Sequence, residues 1–418
     1  MSFAGFCFWR SGKTMQLSER VGRLTNEGAF EVLAAATRLE REGRHIVHLE
    51  LGQPDFPTPP HIVEAGVRAL RDGHVKYAPP SGIPALRAAI ADQLRRRGDS
   101  TSPENVVITP GGKSAIYSTM LALVEDGSEV LIPDLGFSAY EAITRFAGGI
   151  PRFYQLDPAR GFRPGVEELE ERCTPRTRVL ILNAPHNPTG GTLQRRDLEA
   201  IADFAQRNDL TVISDEIYAG LQFDGLFESI HSLPGMAERT AIVDGLSKSY
   251  AMTGWRLGYA VLPRRLVEPV VRLATNSFSC TATFVQHAGV AALTGAQQCV
   301  IDMRAEYATR ARLATEGLNS ISGVNCVAPG GAFYVFPDVR DLLQGTGHNS
   351  DRFAYDLLHD HGVACLSGTA FGAAGEGYLR ISCANSRADI ALGIQRIQQH
   401  AAALSAAATT AAIAATAA

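Results

Sequence analysis

Residues 178–218 read RVLILNAPHNPTGGTLQRRDLEAIADFAQRNDLTVISDEIY. The stretch opens on a short apolar run, RVLIL, closed by the turn chemistry of NAPHNPTG. The helical pattern LQRRDLEAIADFAQRND follows, and a second apolar run, LTVIS, ends on Asp215. A strand, a helix of ten to fifteen residues and another strand argue for a βαβ unit, and such units build mainly parallel sheets.

The same alternation extends outward on both sides. VVIT at 106–109 reads as a strand, followed by the helix GGKSAIYSTMLALV. EVLIPD, SAYEAITRFAG and PRFYQL repeat the pattern, and TAIVDGLSK continues it after residue 239. The expected fold is therefore α/β, with a mainly parallel sheet sandwiched by helices in a large domain spanning 58–299. Residues 16–57 and 300–400 do not continue the alternation and are expected to form a smaller, discontinuous α+β domain, with short strands such as GAFYVFP and YLRIS. Residues 1–15 and the alanine-rich 401–418 are expected to be peripheral tails. The GKT at 12–14 is no phosphate loop, because Cys7 stands where its first glycine belongs and no strand precedes it.

Composition narrows the class of protein. The chain has 418 residues, 45% of them hydrophobic and 20% charged, with a formal net charge of −4. That balance gives no general attraction to nucleic acid or anionic membrane, and no apolar run approaches the length of a span. The seven cysteines are scattered without a CxxC pair, which fits a reducing cytoplasm better than a disulfide framework or zinc site. His359 and His361 lie two apart on a presumed helix, so they face different ways and are not expected to bind metal.

In open α/β sheets ligands gather where strands end at their carboxyl edge. After VVIT, Gly111-Gly112-Lys113 opens a helix whose free N–H groups suit a phosphate. NAPHNPTG brings Asn187 to the same edge, and SDEIY brings Asp215 and Tyr218. GLSKSYAMTGWRLGYA (245–260) adds Lys248 among small and apolar residues, with Arg256 eight positions on. A buried lysine is costly, because desolvation disfavours its charged form, and it is a natural amine nucleophile. A phosphate cradle, a carboxylate, an amide, a phenol and an amine together describe pyridoxal phosphate, a cationic aromatic ring bearing a phosphate and an aldehyde.

The chain resembles the class I pyridoxal-phosphate aminotransferases of fold type I over about residues 16–400. The resemblance rests on LGQPDF, KYAPPSGIPALR, GGKSAI, NAPHNPTG, SDEIY, LSKSYAMTGWRLGY, GGAFY and YLRIS, which occur in the family's order. It implies that Lys248 bonds to the cofactor's aldehyde and later moves the substrate's Cα proton. Asp215 would pair with the pyridine nitrogen, while Tyr218 and Asn187 would hydrogen-bond the phenolic oxygen. Phe137 would stack on the ring, and Gly111, Gly112, Lys113 and Arg256 would hold the phosphate. Tyr77 would reach the phosphate of a neighbouring subunit, implying a homodimer with shared sites. Arg380 would clamp the substrate α-carboxylate, completed by Gly52 and Asn187. The implied reaction is a ping-pong transfer of an amino group from an L-amino acid to a 2-keto acid. A β-eliminating lyase on the same fold and a non-catalytic cofactor-binding regulator are the alternatives. Two departures stand out: Gly245 replaces a serine that many relatives use for phosphate, and DLGF before Ser138 lacks the usual second proline. A side-chain carboxylate would want a second cationic group near SFSCTATF (277–284), and no arginine lies within that run, Arg272 standing just before it, so an acidic donor is not supported.

Overall fold

The computed structural model describes residues 17–24 and 27–417, so the readings of Cys7 and of the GKT at 12–14 lie outside the described residues. Seven strands form the main sheet: β1 (Val106–Thr109), β2 (Glu129–Pro133), β3 (Ile150–Tyr154), β4 (Thr177–Asn183), β5 (Thr211–Asp215), β6 (Thr240–Gly245) and β7 (Gly258–Val261). Their spatial order is β1-β7-β6-β5-β4-β2-β3. Only β7 is antiparallel to its neighbours; the remaining pairs are parallel. The α/β class and the mainly parallel sheet thus stand as expected.

The strands are apolar on both sides because helices cover both faces. One face packs on the helices Gly112–Leu123 and Arg264–Ser277, in a core that includes Val107, Ile181, Ile213 and Val243. Next to β1, β6 and β7, Ile108, Ile242 and Tyr259 pack with Leu86 and Ile90 of the helix Pro84–Arg96 and with Ala288 of Thr283–Thr294. Each fully buried Leu or Ile in these layers contributes about 1.5–3 kcal/mol.

The strand GYAV (β7) was not anticipated in the sequence. It returns against the parallel direction, between β1 and β6, after the chain turns through Lys248–Trp255. Close approach dictates its first residue: a Cβ on Gly258 would lie 2.4 Å from both Gly111 C and Gly112 N.

The C-terminal hundred residues carry a second, antiparallel sheet, in which Leu379–Ser382 is flanked by Tyr334–Val335 and Leu366–Ser367. The N-terminal piece joins it: Val47–His48 pairs with Val363–Ala364, and Val47 and Leu49 share a core with Phe353, Leu379 and Ile394. This part also packs on the large sheet, since Phe336, Leu366 and Phe371 lie in one cluster with Leu180 and Leu182. The last helix, Arg387–Ala417, keeps Ala401 and Leu404 in the core. Packing therefore reaches past residue 400, where the sequence reading began the tail. Among the described residues, no helix is long and apolar enough to cross a membrane. The six cysteines among the described residues are free thiols. His359 stacks on Tyr355 and His361 faces His400, so the two histidines look apart.

Candidate active site

Strand register assembles the site. Asn183 at the end of β4 pairs with Asp215 at the end of β5, and Asp215 with Val243 of β6. The loops beyond these ends line a cavity of about 1300 Å³ that contains Lys248, Asp215, Tyr218, Asn187 and Arg380. Gly52, Gly112, Lys113, Phe137 and Arg256 line the same space.

Lys248 is half-buried and donates to the Gly52 carbonyl at 2.5 Å. Burial, reinforced by the positive charges of Arg380 and Arg256, lowers its pKa to about 8. Asp215 is buried and takes two neutral donors, the Tyr140 hydroxyl at 2.6 Å and the Ile217 N–H at 3.2 Å. Burial raises its pKa to about 6 against the opposing pull of these bonds and of Lys248. The Asn183 side chain ties the floor together, donating to the Asp215 carbonyl at 3.0 Å and accepting from the Asn187 N–H at 2.9 Å. Phe137 meets Tyr140 edge-on, with ring centroids 5.8 Å apart.

The phosphate side is built from bare backbone and cations. Gly111 caps the helix Gly112–Leu123 with a φ of 87°, a conformation that favours glycine. A Cβ there would also lie 2.4 Å from the Arg256 guanidinium. Arg256 itself bonds to the Thr253 carbonyl at 2.9 Å. Lys113 is ion-paired with Glu27, and its ammonium lies 5.1 Å from the centre of the Phe137 ring. Ser247 lines the cavity next to Gly245, where the expected serine is missing. A Cβ at Gly245 would meet the Leu257 carbonyl at 3.0 Å and the Gly258 Cα at 3.1 Å, so β7 crowds that position.

On the opposite side, Arg380 projects from Leu379–Ser382 and is only 4% exposed. It donates to Asn187 Oδ1 at 3.1 Å and to the Glu50 carbonyl, while its buried Nε has no partner. Tyr77 does not line the cavity and is 90% exposed.

Three contributors were not anticipated. Tyr140 holds the Asp215 carboxylate, Tyr334 bonds to the Tyr218 hydroxyl at 2.8 Å, and Glu27 pairs with Lys113. The requirement that a buried carboxylate find a donor pointed to a partner of the Tyr140 kind, and SAY lies just after Phe137. No sequence signal marked Glu27.

The residues fit pyridoxal phosphate on three counts. A buried carboxylate bonded only to neutral donors suits a cationic ring nitrogen. A side-chain-free helix start beside a guanidinium suits a phosphate. A desolvated amine between them suits an aldehyde.

The family model described as "Aminotransferase class I and II" matches residues 44–397. The chain is 40% identical over 390 residues to an aromatic-amino-acid aminotransferase 2 of Thermococcus litoralis, covering 92% of this chain and 98% of that one. It is also 40% identical over 361 residues to an aspartate aminotransferase of Pyrococcus abyssi, covering 85% and 92%. Among solved structures, the aspartate aminotransferase from Thermus thermophilus with maleate superposes with a TM-score of 0.87 at 37% identity, covering 93% of this chain and 100% of that one.

Proposed function

The chain belongs to the class I and II aminotransferases, and from that premise we propose how its own residues divide the work. It is a pyridoxal-phosphate-dependent enzyme that transfers an amino group from an amino acid to a 2-keto acid. The bound cofactor supplies an aldehyde for the amino group and a ring that withdraws electrons from the reacting carbon.

Lys248 is the base that moves the Cα proton, and a pKa lowered to about 8 gives it a free lone pair in a working share of molecules near neutrality. Asp215, held by Tyr140, keeps a positive charge on the ring nitrogen. Tyr218 and Asn187 bond the ring's phenolic oxygen, and Phe137 covers its face. Gly111, Gly112, Lys113 and Arg256 take the phosphate. Arg380, with Asn187 and Gly52, orients the substrate's α-carboxylate. The observation that carries this reading is the placement of Lys248, Asp215 and Arg380 on three different elements around one cavity.

Exposed Leu70, Val75 and Tyr77 support a homodimer in which Tyr77 reaches the phosphate of a second copy. Sedimentation showing a monomer at micromolar concentration would overturn it. The free thiols support a cytoplasmic setting. Relatives named for aspartate and for aromatic amino acids put those donors first in a substrate panel, whose aspartate arm tests the sequence expectation against an acidic donor.

The test is spectral and chemical. Protein loaded with cofactor is expected to show a visible absorbance band that an amino donor bleaches, with the donor's nitrogen recovered on the acceptor. Absence of the band with Lys248 intact, or release of the nitrogen as ammonia, contradicts the proposal.

A further inference from the structure

Tyr334 occupies a position that none of the roles above requires. It is 1% exposed and sits in the short strand Tyr334–Val335, paired antiparallel with Leu379–Ser382 so that Tyr334 faces Ser382. Arg380, two residues before Ser382, projects from the same face of that strand and is its diagonal neighbour. The Arg380 guanidinium accordingly lies 4.5 Å from the centre of the Tyr334 ring. The other end of the side chain reaches the cofactor half of the cavity. Its hydroxyl shares a hydrogen bond of 2.8 Å with the Tyr218 hydroxyl. A Cβ on Gly52, whose carbonyl accepts from Lys248, would lie 2.0 Å from that same oxygen.

We propose that Tyr334 is a positioning residue that couples the two halves of the site, its ring fixing Arg380 and its hydroxyl fixing Tyr218. The inference rests on the roles proposed above for Tyr218 and Arg380. Its physical basis is polarisation along a buried chain of groups. Burial raises the pKa of the Tyr334 hydroxyl, with the positive charge of Arg380 only partly opposing it, so the hydroxyl keeps its proton and can donate it to a neighbour. Either hydroxyl can donate across the 2.8 Å contact, and the proposed arrangement has Tyr334 donating to Tyr218, which leaves the Tyr218 hydrogen for the ring's phenolic oxygen. Each bond in such a chain strengthens the next. The ring contact acts separately, because a cation against an aromatic face in a desolvated site holds the guanidinium plane.

These two contributions come apart under substitution. Tyr334→Phe keeps the ring and removes the hydroxyl. Tyr218 becomes a weaker donor, the phenolic oxygen holds the proton beside it more tightly, and that proton leaves at higher pH. The midpoint of the visible band's pH titration is expected to rise by about half to one unit, while KM for the amino donor stays within about twofold. Tyr334→Leu removes the ring, and KM is expected to rise about tenfold with a smaller fall in kcat. Tyr334→Met, which keeps bulk without an aromatic face, carries the same expectation if the leucine variant loses its native circular dichroism. Tyr218→Phe and Arg380→Lys are the benchmarks for midpoint and KM. If the benchmarks respond and the Tyr334 variants do not, the coupling role is wrong. If the benchmarks are inert, the roles of Tyr218 and Arg380 fail and the inference falls with them.

Discussion

The cavity has two walls of different construction. One is the carboxyl edge of the large sheet, where Asn183, Asp215 and Lys248 sit at or just beyond the ends of fully paired strands. The other is the small sheet, where Arg380 and Tyr334 stand on strands of four and two residues. The first wall, which the proposed roles assign to the cofactor, is fixed by the register of a seven-stranded sheet. The second, which the proposed roles assign to the substrate, is tied to the first by side chains, through Arg380 to Asn187 and Tyr334 to Tyr218. On the proposed roles, the reacting groups rest on a seven-stranded sheet, and the groups that recognise substrate rest on short strands tied to it by side-chain contacts.

Substitutions should therefore fail differently on the two walls. Lys248→Ala removes the amine proposed to move the proton, and transamination is expected to fall by about 10⁴-fold or more in a single-turnover assay. Retention of activity within about tenfold would assign the proton transfer elsewhere. Asp215→Asn keeps the shape but removes the charge, and kcat is expected to fall by about 10²–10³-fold.

The same variant tests a second consequence in the cofactor-free protein. The folded-state pKa of Asp215 is raised to about 6, so the native state binds its proton more tightly than the unfolded chain does. The stabilisation is present below the ordinary carboxyl range and is lost as pH climbs through about 6. Above that, the ionised carboxylate costs up to about 3 kcal/mol. Cofactor-free Asp215→Asn is then expected to melt higher than the parent at pH 8, with a smaller gain at pH 4. Equal melting shifts at both pH values would show that the charge is not the cause.

The difference between the walls also explains what could be read in the sequence. Asp215, Asn187 and Lys248 were visible because each follows a continuous apolar run, and such runs mark buried parallel strands whose ends are the ligand edge. The antiparallel β7 was missed because GYA is short and follows a turn rich in small residues, and only its pairing with Gly245 and Thr109 defines it. Tyr140 and Tyr334 were missed for another reason. Their hydroxyls matter through partners 75 and 116 residues away, a separation that local pattern does not encode. The Lys113–Glu27 pair is of the same kind.

On the substrate wall, Arg380→Lys keeps the charge but loses the planar fork that bonds Asn187 and the Glu50 carbonyl. KM for amino donors is expected to rise about 10- to 100-fold, with kcat changed less. A fall in kcat with KM unchanged would move Arg380 from substrate binding to the chemistry and erase the contrast between the walls.

The smallest effect is expected at Tyr140, which belongs to the cofactor wall but acts only through Asp215. Tyr140→Phe removes the 2.6 Å bond that stabilises the ionised carboxylate. The other influences on Asp215 remain: the Ile217 N–H and Lys248 favour ionisation, and burial opposes it. The pKa of Asp215 must therefore rise, and the acid limb of the kcat/KM profile should move to higher pH. Near neutrality the activity should fall about three- to tenfold, less than the full worth of a bond to a charged group, because a cationic ring nitrogen also stabilises the carboxylate. The loss should shrink as pH is raised, since ionisation is then restored by the solution. A loss that stays constant across the pH range would instead mean that Tyr140 shapes the cavity through its ring, and that the hydroxyl is not what tunes Asp215.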